Sequence, residues 1–168
     1  MTTVRPLNAV LQTADVAARG GLPYSATAWA TGFHPLDREL SGGLRAGELA
    51  ILGGPQGTGK TTFALQLARN VVAAGGSATY LCYEHDERMQ LQKLIAMEAS
   101  LADPEDSVLL PRLAEALGTG GANDRGLPGR IGHLPGVAAA LAALDSYGDR
   151  LRLVTGSGHA TDVTAVRR

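Results

Sequence analysis

The sequence predicts an α/β fold with a mostly parallel sheet, and three patterns support this. Short apolar runs at Leu49–Leu52 and Ala78–Tyr83 have the length of buried parallel strands. A helical pattern from Thr61 to Ala74 lies between them. Two parallel strands joined by a helix form a βαβ unit, whose crossover is right-handed.

The remaining segments alternate between helical and extended patterns. In chain order they predict a helix over Leu7–Arg19, a helical turn at Leu36–Leu40, a helix over Glu87–Leu101 capped by Asp86, a helix over Leu109–Leu117, a loop or poorly ordered segment over Gly118–Gly136, a helix over Val137–Leu144, a strand over Leu151–Val154 and a helix from Thr161. The predicted apolar side of the Glu87–Leu101 helix consists of Leu91, Leu94, Ile95, Met97 and Leu101.

These elements divide into an N-terminal helix and linker, residues 1–28, and a domain over residues 29–168. The first helix has an apolar stripe and is followed by a polar linker that contains Pro23. Because a short helix cannot bury such a stripe alone, it must dock on its own domain or on a neighbour. The sequence leaves both possibilities open.

Composition limits the possible function classes. Of 168 residues, 18% are charged and 45% hydrophobic, which is typical of one globular domain. The net charge of −1 does not indicate a strongly basic surface, so any nucleic-acid contact has to come from local loops. The single cysteine, Cys82, is expected to be a small core residue. No signal peptide or membrane-spanning run is recognisable, which predicts a cytoplasmic protein without membrane contact.

The stretch Gly54–Thr61 reads GPQGTGKT and matches the phosphate-loop pattern G-x-x-x-x-G-K-[ST]. Its glycines allow the backbone to curl so that successive N–H groups face an anion. The helix that follows adds unpaired N–H groups and the positive end of its dipole. A glycine-rich turn before an ordinary helix is disfavoured, because the predicted strand, loop and helix all agree.

This pattern predicts a site for ATP and Mg²⁺. Lys60 is expected to hold the β- and γ-phosphates, the Thr61 hydroxyl to ligate Mg²⁺, and Thr62 to lie near the α-phosphate. The predicted ATP-binding residues are Gly54, Pro55, Gln56, Gly57, Thr58, Gly59, Lys60, Thr61 and Thr62.

The stretch Thr31–Glu84 resembles the RecA-type ATPases, above all the C-terminal motor domain of DnaB-type replicative helicases. The motifs that carry the resemblance are Thr31-Gly32-Phe33, Leu36-Asp37, Gly42-Gly43-Leu44, Gly47-Glu48-Leu49, the phosphate loop and Tyr83-Glu84. The resemblance implies a three-layer RecA-like P-loop core, here partial, preceded by a linker helix that grips the next subunit. It also implies a homo-hexamer that binds ATP and single-stranded DNA.

The same resemblance assigns a catalytic role to Glu84, which would align the attacking water while Lys60 stabilises phosphate charge. The alternative for Glu84 is a solvated carboxylate at a strand end. His85 could sense the γ-phosphate, or it could be a surface residue or a helix-capping residue. Trp29 and Tyr24 could contact the adenine or a neighbouring subunit, or they could pack in the core.

Two departures from the family pattern stand out. Val154-Thr155-Gly156-Ser157 replaces the two aspartates that usually end this strand, and the family's Walker B strand, DNA-binding loops and arginine finger would lie beyond Arg168. The isolated chain is therefore expected to bind nucleotide weakly and hydrolyse little. Two functions stay open: an ATP-driven DNA helicase acting in replication, or a KaiC/RadA-like or degenerate ATP-binding regulatory module without unwinding activity.

Overall fold

A computed structural model describes residues 4–21, 28–118 and 126–156. In chain order the elements are α1 (Leu7–Arg19), β1 (Ala28–Trp29), α2 (His34–Glu39), β2 (Leu44–Arg45), α3 (Lys60–Ala73), β3 (Ala78–Cys82), α4 (Glu87–Ala102), α5 (Leu110–Gly118), α6 (Gly126–Ile131), α7 (Val137–Tyr147), a 3₁₀ turn (Gly148–Arg150) and β4 (Leu151–Thr155).

The sheet that positions the site is a parallel pair, β3 and β4, with Ala78 opposite Leu151 and Cys82 opposite Thr155. Helices α3 and α4 pack against this pair. The pattern of exposure alternates along β3: Cys82 is buried, as the sequence predicts, whereas the Leu81 side chain is 37% exposed. A smaller antiparallel pair, β1 and β2, was not predicted. The described residues therefore form an α/β structure compatible with part of a RecA-like core.

The hydrophobic core lies among α4, α5, α6 and α7. Its buried members are Ile95, Ala99, Val108, Leu113, Ile131, Leu134, Val137 and Ala140. Helices α4 and α7 approach closely at Gly136, where an added Cβ would lie 2.7 Å from the Ala99 carbonyl oxygen. Gly136 also has a φ of 70°, a conformation that favours glycine.

A buried ion pair joins α3 to α4. The Arg69 guanidinium donates from Nε and Nη2 to the two carboxylate oxygens of Glu98, at 2.6 and 2.8 Å. The Tyr147 hydroxyl on α7 donates to the same carboxylate. The hydrogen bond to Glu98 raises the pKa of Arg69, and burial raises the pKa of Tyr147. Three helices thus meet on one carboxylate that is only 3% exposed.

Most of the predicted helices are confirmed, with ends that differ by a few residues at most. The predicted strand Leu49–Leu52 is wrong, because the described chain forms no strand there and Leu49 and Ile51 are each 86% exposed. A parallel strand requires hydrogen-bonding neighbours, and in the described part of the chain β3 and β4 pair with each other instead.

The predicted loop Gly118–Gly136 is wrong in part. Residues 126–131 form α6, whose Ile131 is buried in the core together with Leu134. Residues 119–125 lie outside the described residues, as does the helix predicted from Thr161. The glycines and prolines of the segment predict a loop, but burial of the two apolar side chains stabilises a short helix.

The predicted apolar side of α4 is also wrong in part. Leu94 and Ile95 are buried, but Leu101 is 57% exposed, and polar Gln90 and Glu98 are buried instead. A hydrophobic pattern cannot identify this face, because Glu98 is buried with partners that lie far away in sequence.

Helix α1 buries no side chain within the described chain. Leu7, Leu11 and Val16 on it are 73%, 60% and 69% exposed. The structure therefore shows the apolar stripe of α1 exposed rather than docked on its own domain. Docking of the stripe on a neighbouring subunit stays a prediction. None of the helices in the described ranges is both long and apolar enough to cross a membrane.

Arg69→Met is expected to lower the free energy of unfolding by about 3 kcal/mol, because it leaves the buried Glu98 carboxylate without its cation. Urea denaturation measures the change. The matched control is Arg19→Met, which removes an Arg–carboxylate pair whose side chains are 78% and 61% exposed. That control should change stability by less than about 1 kcal/mol. Equal effects of the two variants would contradict the structural role of Arg69.

Candidate phosphate-binding site

The loop between Gly54 and Lys60 is shaped by two glycines in the left-handed region. Gly57 has a φ of 81° and Gly59 a φ of 84°. Gly59 is the N-cap of α3, so the second of these turns directs the chain into the helix. Residues with a Cβ rarely adopt this conformation, which explains why glycine stands at both positions.

The loop leaves its backbone donors unpaired. Among the described residues, the N–H groups of 57–61 donate to no protein acceptor, and the first bond at this end of α3 runs from the Phe63 N–H to the Gly59 carbonyl, at 2.8 Å. Loop residues 54–59 are exposed. Unpaired N–H groups and the positive end of a helix dipole attract anions, phosphates above all.

Two side chains bind the loop to itself through the Pro55 carbonyl oxygen. The Lys60 ammonium donates to this oxygen at 2.7 Å, and the Thr58 hydroxyl donates to it at 2.8 Å. The Lys60 side chain therefore lies across the loop and places its charge at the loop's rim.

The structure brings Thr61 and Glu84 together, although they are 23 positions apart in sequence. The Thr61 hydroxyl donates to a Glu84 carboxylate oxygen at 3.2 Å. The Tyr80 hydroxyl, on β3, donates to the Thr61 carbonyl at 3.2 Å and so holds the start of α3 beside the strand. A hydroxyl and a carboxylate side by side are oxygen ligands of the kind that Mg²⁺ prefers.

The segment after Glu84 is anchored by two hydrogen bonds, each between a side chain and a backbone group. Asp86 caps α4, as the sequence predicts, by accepting from the Met89 N–H at 2.9 Å. The Gln90 side-chain amide donates to the His85 carbonyl at 3.1 Å. These two bonds fix how the chain passes from the end of β3 into α4.

A cleft of about 440 Å³ lies where these parts meet. Its lining consists of Gln56, Gly57, Gly59, Lys60, Thr61, Thr62, Glu84, His85 and Lys93. The predicted residues Gly54, Pro55 and Thr58 belong to the loop but not to this lining. Lys93 is the lining residue that the sequence analysis missed. The sequence could have pointed to Lys93 only through the helix predicted after Glu84, on which this lysine lies.

Of the two aromatic candidates, Trp29 does not belong to this lining. Trp29 lies on β1 and is 45% exposed. Its ring packs against Gly76, where an added Cβ would lie 2.8 Å from a ring carbon. Tyr24 lies outside the described residues.

The motif at Thr31–Asp37 has a structural role. The Asp37 carboxylate accepts from the Thr31 N–H and hydroxyl, both at 2.7 Å, and from the Gly32 N–H at 3.1 Å. The Asn70 amide, on α3, donates to the Thr31 carbonyl at 2.8 Å. Gly32 has a φ of 80°, and an added Cβ would lie 2.5 Å from the Asn70 nitrogen.

An aromatic contact attaches the same segment to the start of α3. The rings of Phe33 and Phe63 stack with centroids 4.7 Å apart. The segment therefore contacts α3 near its amino end through Phe63 and further along through Asn70. Residues of this motif support the helix that carries Lys60 and Thr61, rather than lining the cleft themselves.

Comparisons with known proteins find several similar chains. Residues 28–106 match the family model of the DnaB-like helicase C terminal domain. DNA repair and recombination protein RadB of Halobacterium salinarum is 41% identical over 75 residues, which are 45% of this chain and 31% of RadB. DNA repair protein RadA of Chlamydia trachomatis is 46% identical over 48 residues, 29% of this chain and 11% of RadA.

A third relative is Protein RecA of Crocosphaera subtropica, 44% identical over 55 residues, 33% of this chain and 16% of RecA. The first of these matches covers about a third of the relative's length, and the others cover less. These matches relate the chain to the RecA-type P-loop ATPases. The family model relates residues 28–106 to the DnaB-like helicase C terminal domain.

The hydrogen bonds that the Asp37 carboxylate accepts from Thr31 and Gly32, here called the Asp37 clamp, should make the stability of the protein depend on pH. Hydrogen bonds from Thr31 lower the pKa of Asp37 below its ordinary value of 3.8, so the native state favours the ionised carboxylate. The stability that this carboxylate contributes is present above its unfolded pKa and is lost as the pH falls through the folded pKa. Wild type should therefore exceed Asp37→Asn in stability at neutral pH, and the difference should shrink under acid conditions.

Urea denaturation of both proteins between about pH 2 and pH 7 measures this difference. A stability difference that stays constant across the whole range would show that the charge of Asp37 has no part in the clamp.

Proposed function

We propose that this chain binds ATP with Mg²⁺ and forms the ATP-hydrolysing core of a DnaB-like hexameric helicase, which couples hydrolysis to DNA unwinding in replication. The observation that carries the proposal is the meeting of Lys60, Thr61 and Glu84 at one cleft beside unpaired backbone N–H groups. Phosphoryl transfer depends mainly on positioning and charge stabilisation, and these groups can supply both.

Each side chain has a distinct role in this proposal. The N–H groups of residues 57–61 and the Lys60 ammonium bind the phosphates, and the Thr61 hydroxyl ligates Mg²⁺. Bound Mg²⁺ would neutralise phosphate charge. Glu84 aligns the attacking water and accepts its proton. The hydroxyl of Thr61 and the carboxylate of Glu84 are within hydrogen-bond distance, so both can serve one bound nucleotide.

The helicase part of the proposal rests on the family model and on α1. The family model that matches residues 28–106 is that of a helicase domain. Helix α1 presents an apolar stripe that it does not bury in the described chain, which suits docking on the next copy in a ring. Single-stranded DNA would then be the second partner. A location in the cytoplasm follows from this function.

The second candidate is a KaiC/RadA-like or degenerate ATP-binding module that regulates assembly without unwinding DNA. The matches to RadB and RadA favour it, as does the absence of a carboxylate in Val154–Gly156 at the end of β4. Strand separation on forked DNA distinguishes the two: ATP-dependent unwinding supports the helicase, and ATP-dependent assembly without unwinding supports the module.

Lys60→Ala is expected to weaken MgATP binding about tenfold or more, because it removes a charge-assisted contact to phosphate. Isothermal titration calorimetry with MgATP and with magnesium tripolyphosphate measures the effect. Both ligands should lose affinity together, since the contact is to phosphate. Unchanged affinity for both in the Lys60→Ala protein would refute the phosphate-loop assignment.

Glu84→Gln is expected to leave MgATP binding intact and to slow hydrolysis about a hundredfold or more, because the amide cannot accept a proton from water. Single-turnover hydrolysis at saturating protein, together with the calorimetric affinity, separates the two effects. Loss of binding with no separate loss of rate would assign Glu84 to the support of Thr61 instead.

A further inference from the structure

Lys93 supplies a second lysine side chain to the lining of the candidate cleft. It lies on α4 and lines the cleft together with Lys60, the first residue of α3. Its side chain is partly buried, yet within the described residues it takes part in no ion pair and no hydrogen bond. Arg69, another partly buried cation and located on α3, is paired with Glu98.

The ammonium of this partly buried lysine has no acceptor in the described protein, so an anion bound in the cleft would supply one. Within the described lining, the lysines Lys60 and Lys93 face one carboxylate, that of Glu84. The balance of formal charge at the cleft is thus positive, which suits a polyanion.

The position of Lys93 indicates which part of a nucleotide it would meet. Lys93 and Thr62 line both the cleft and an adjoining groove of about 350 Å³ between α3 and α4. Lys93 therefore stands where the cleft passes into the groove, on the side of Thr62. Thr62 follows the Mg²⁺-ligating position and is the residue assigned to the α-phosphate.

The backbone around Lys93 is well anchored. Asp86 caps α4, and Gln90, one turn before Lys93, donates to the His85 carbonyl. The Arg69–Glu98 pair fixes α4 against α3 further along. Because both helices are fixed in this way, the cation is presented to the cleft by packed elements rather than by a loop.

We propose that Lys93 is a second cationic phosphate ligand of this site, which contacts the phosphate nearest Thr62 while Lys60 contacts the far end of the chain of phosphates. The inference rests on the proposed function of the cleft, and it adds a contact from α4. The triphosphate is then held between α3 and α4.

The test compares Lys93→Met, which keeps the aliphatic stem, with Lys93→Arg, which keeps the charge. The matched control is Arg88→Met, which removes an exposed cation from the same helix but outside the cleft lining. Calorimetry with MgATP and with magnesium tripolyphosphate gives the affinities. Circular dichroism and the thermal midpoint verify folding, and Lys93→Gln replaces the methionine variant if that variant is unstable.

Lys93→Met should weaken both ligands about tenfold, Lys93→Arg should restore most of the affinity, and Arg88→Met should change neither ligand's affinity. Unchanged affinities in Lys93→Met would overturn the proposal, and so would a loss for MgATP without a loss for tripolyphosphate, which indicates a nucleoside contact. Equal losses in Lys93→Met and Arg88→Met would indicate a general charge effect and also overturn it. Lys60→Ala reports on the phosphate loop separately, so the two assignments can fail independently.

Discussion

The placement of the amino end of α3 is the constraint on which the rest of the structure depends. Gly57 and Gly59 turn the chain so that the N–H groups before the helix stay unpaired and exposed. Lys60 and Thr61, the first two residues of α3, then reach the same cleft. A shift of this helix relative to β3 would separate Thr61 from Glu84, and the cleft would no longer bring a hydroxyl and a carboxylate together.

Contacts along α3 maintain this placement. Phe63 stacks on Phe33, Asn70 binds the Thr31 carbonyl, and Arg69 pairs with Glu98 on α4. A buried ion pair adds little net stability compared with an apolar contact, but it defines one geometry because either partner left alone is costly. These contacts lie away from the cleft and nevertheless determine which groups meet in it.

The sequence predicts local features of this protein better than those that depend on distant residues. The shape of the loop could be predicted because glycines, a lysine and a hydroxyl occur at defined spacing, and the structure has positive φ angles at Gly57 and Gly59. The Leu49–Leu52 strand could not, because strand formation depends on which neighbours supply hydrogen bonds. The prediction of the buried side of α4 is wrong in part because Glu98 accepts hydrogen bonds from side chains on α3 and α7. Lys93 was missed because its distance from the loop depends on how α4 crosses α3.

The most direct test of the central claim is a nuclear magnetic resonance titration of the isotopically labelled chain with magnesium tripolyphosphate. If the unpaired amides at the start of α3 bind phosphate, the backbone amide signals of residues 57–61 should move first and farthest, with downfield proton shifts that saturate together. Shifts spread evenly over the lysines and arginines of the surface, with these amides unmoved, would contradict the claim.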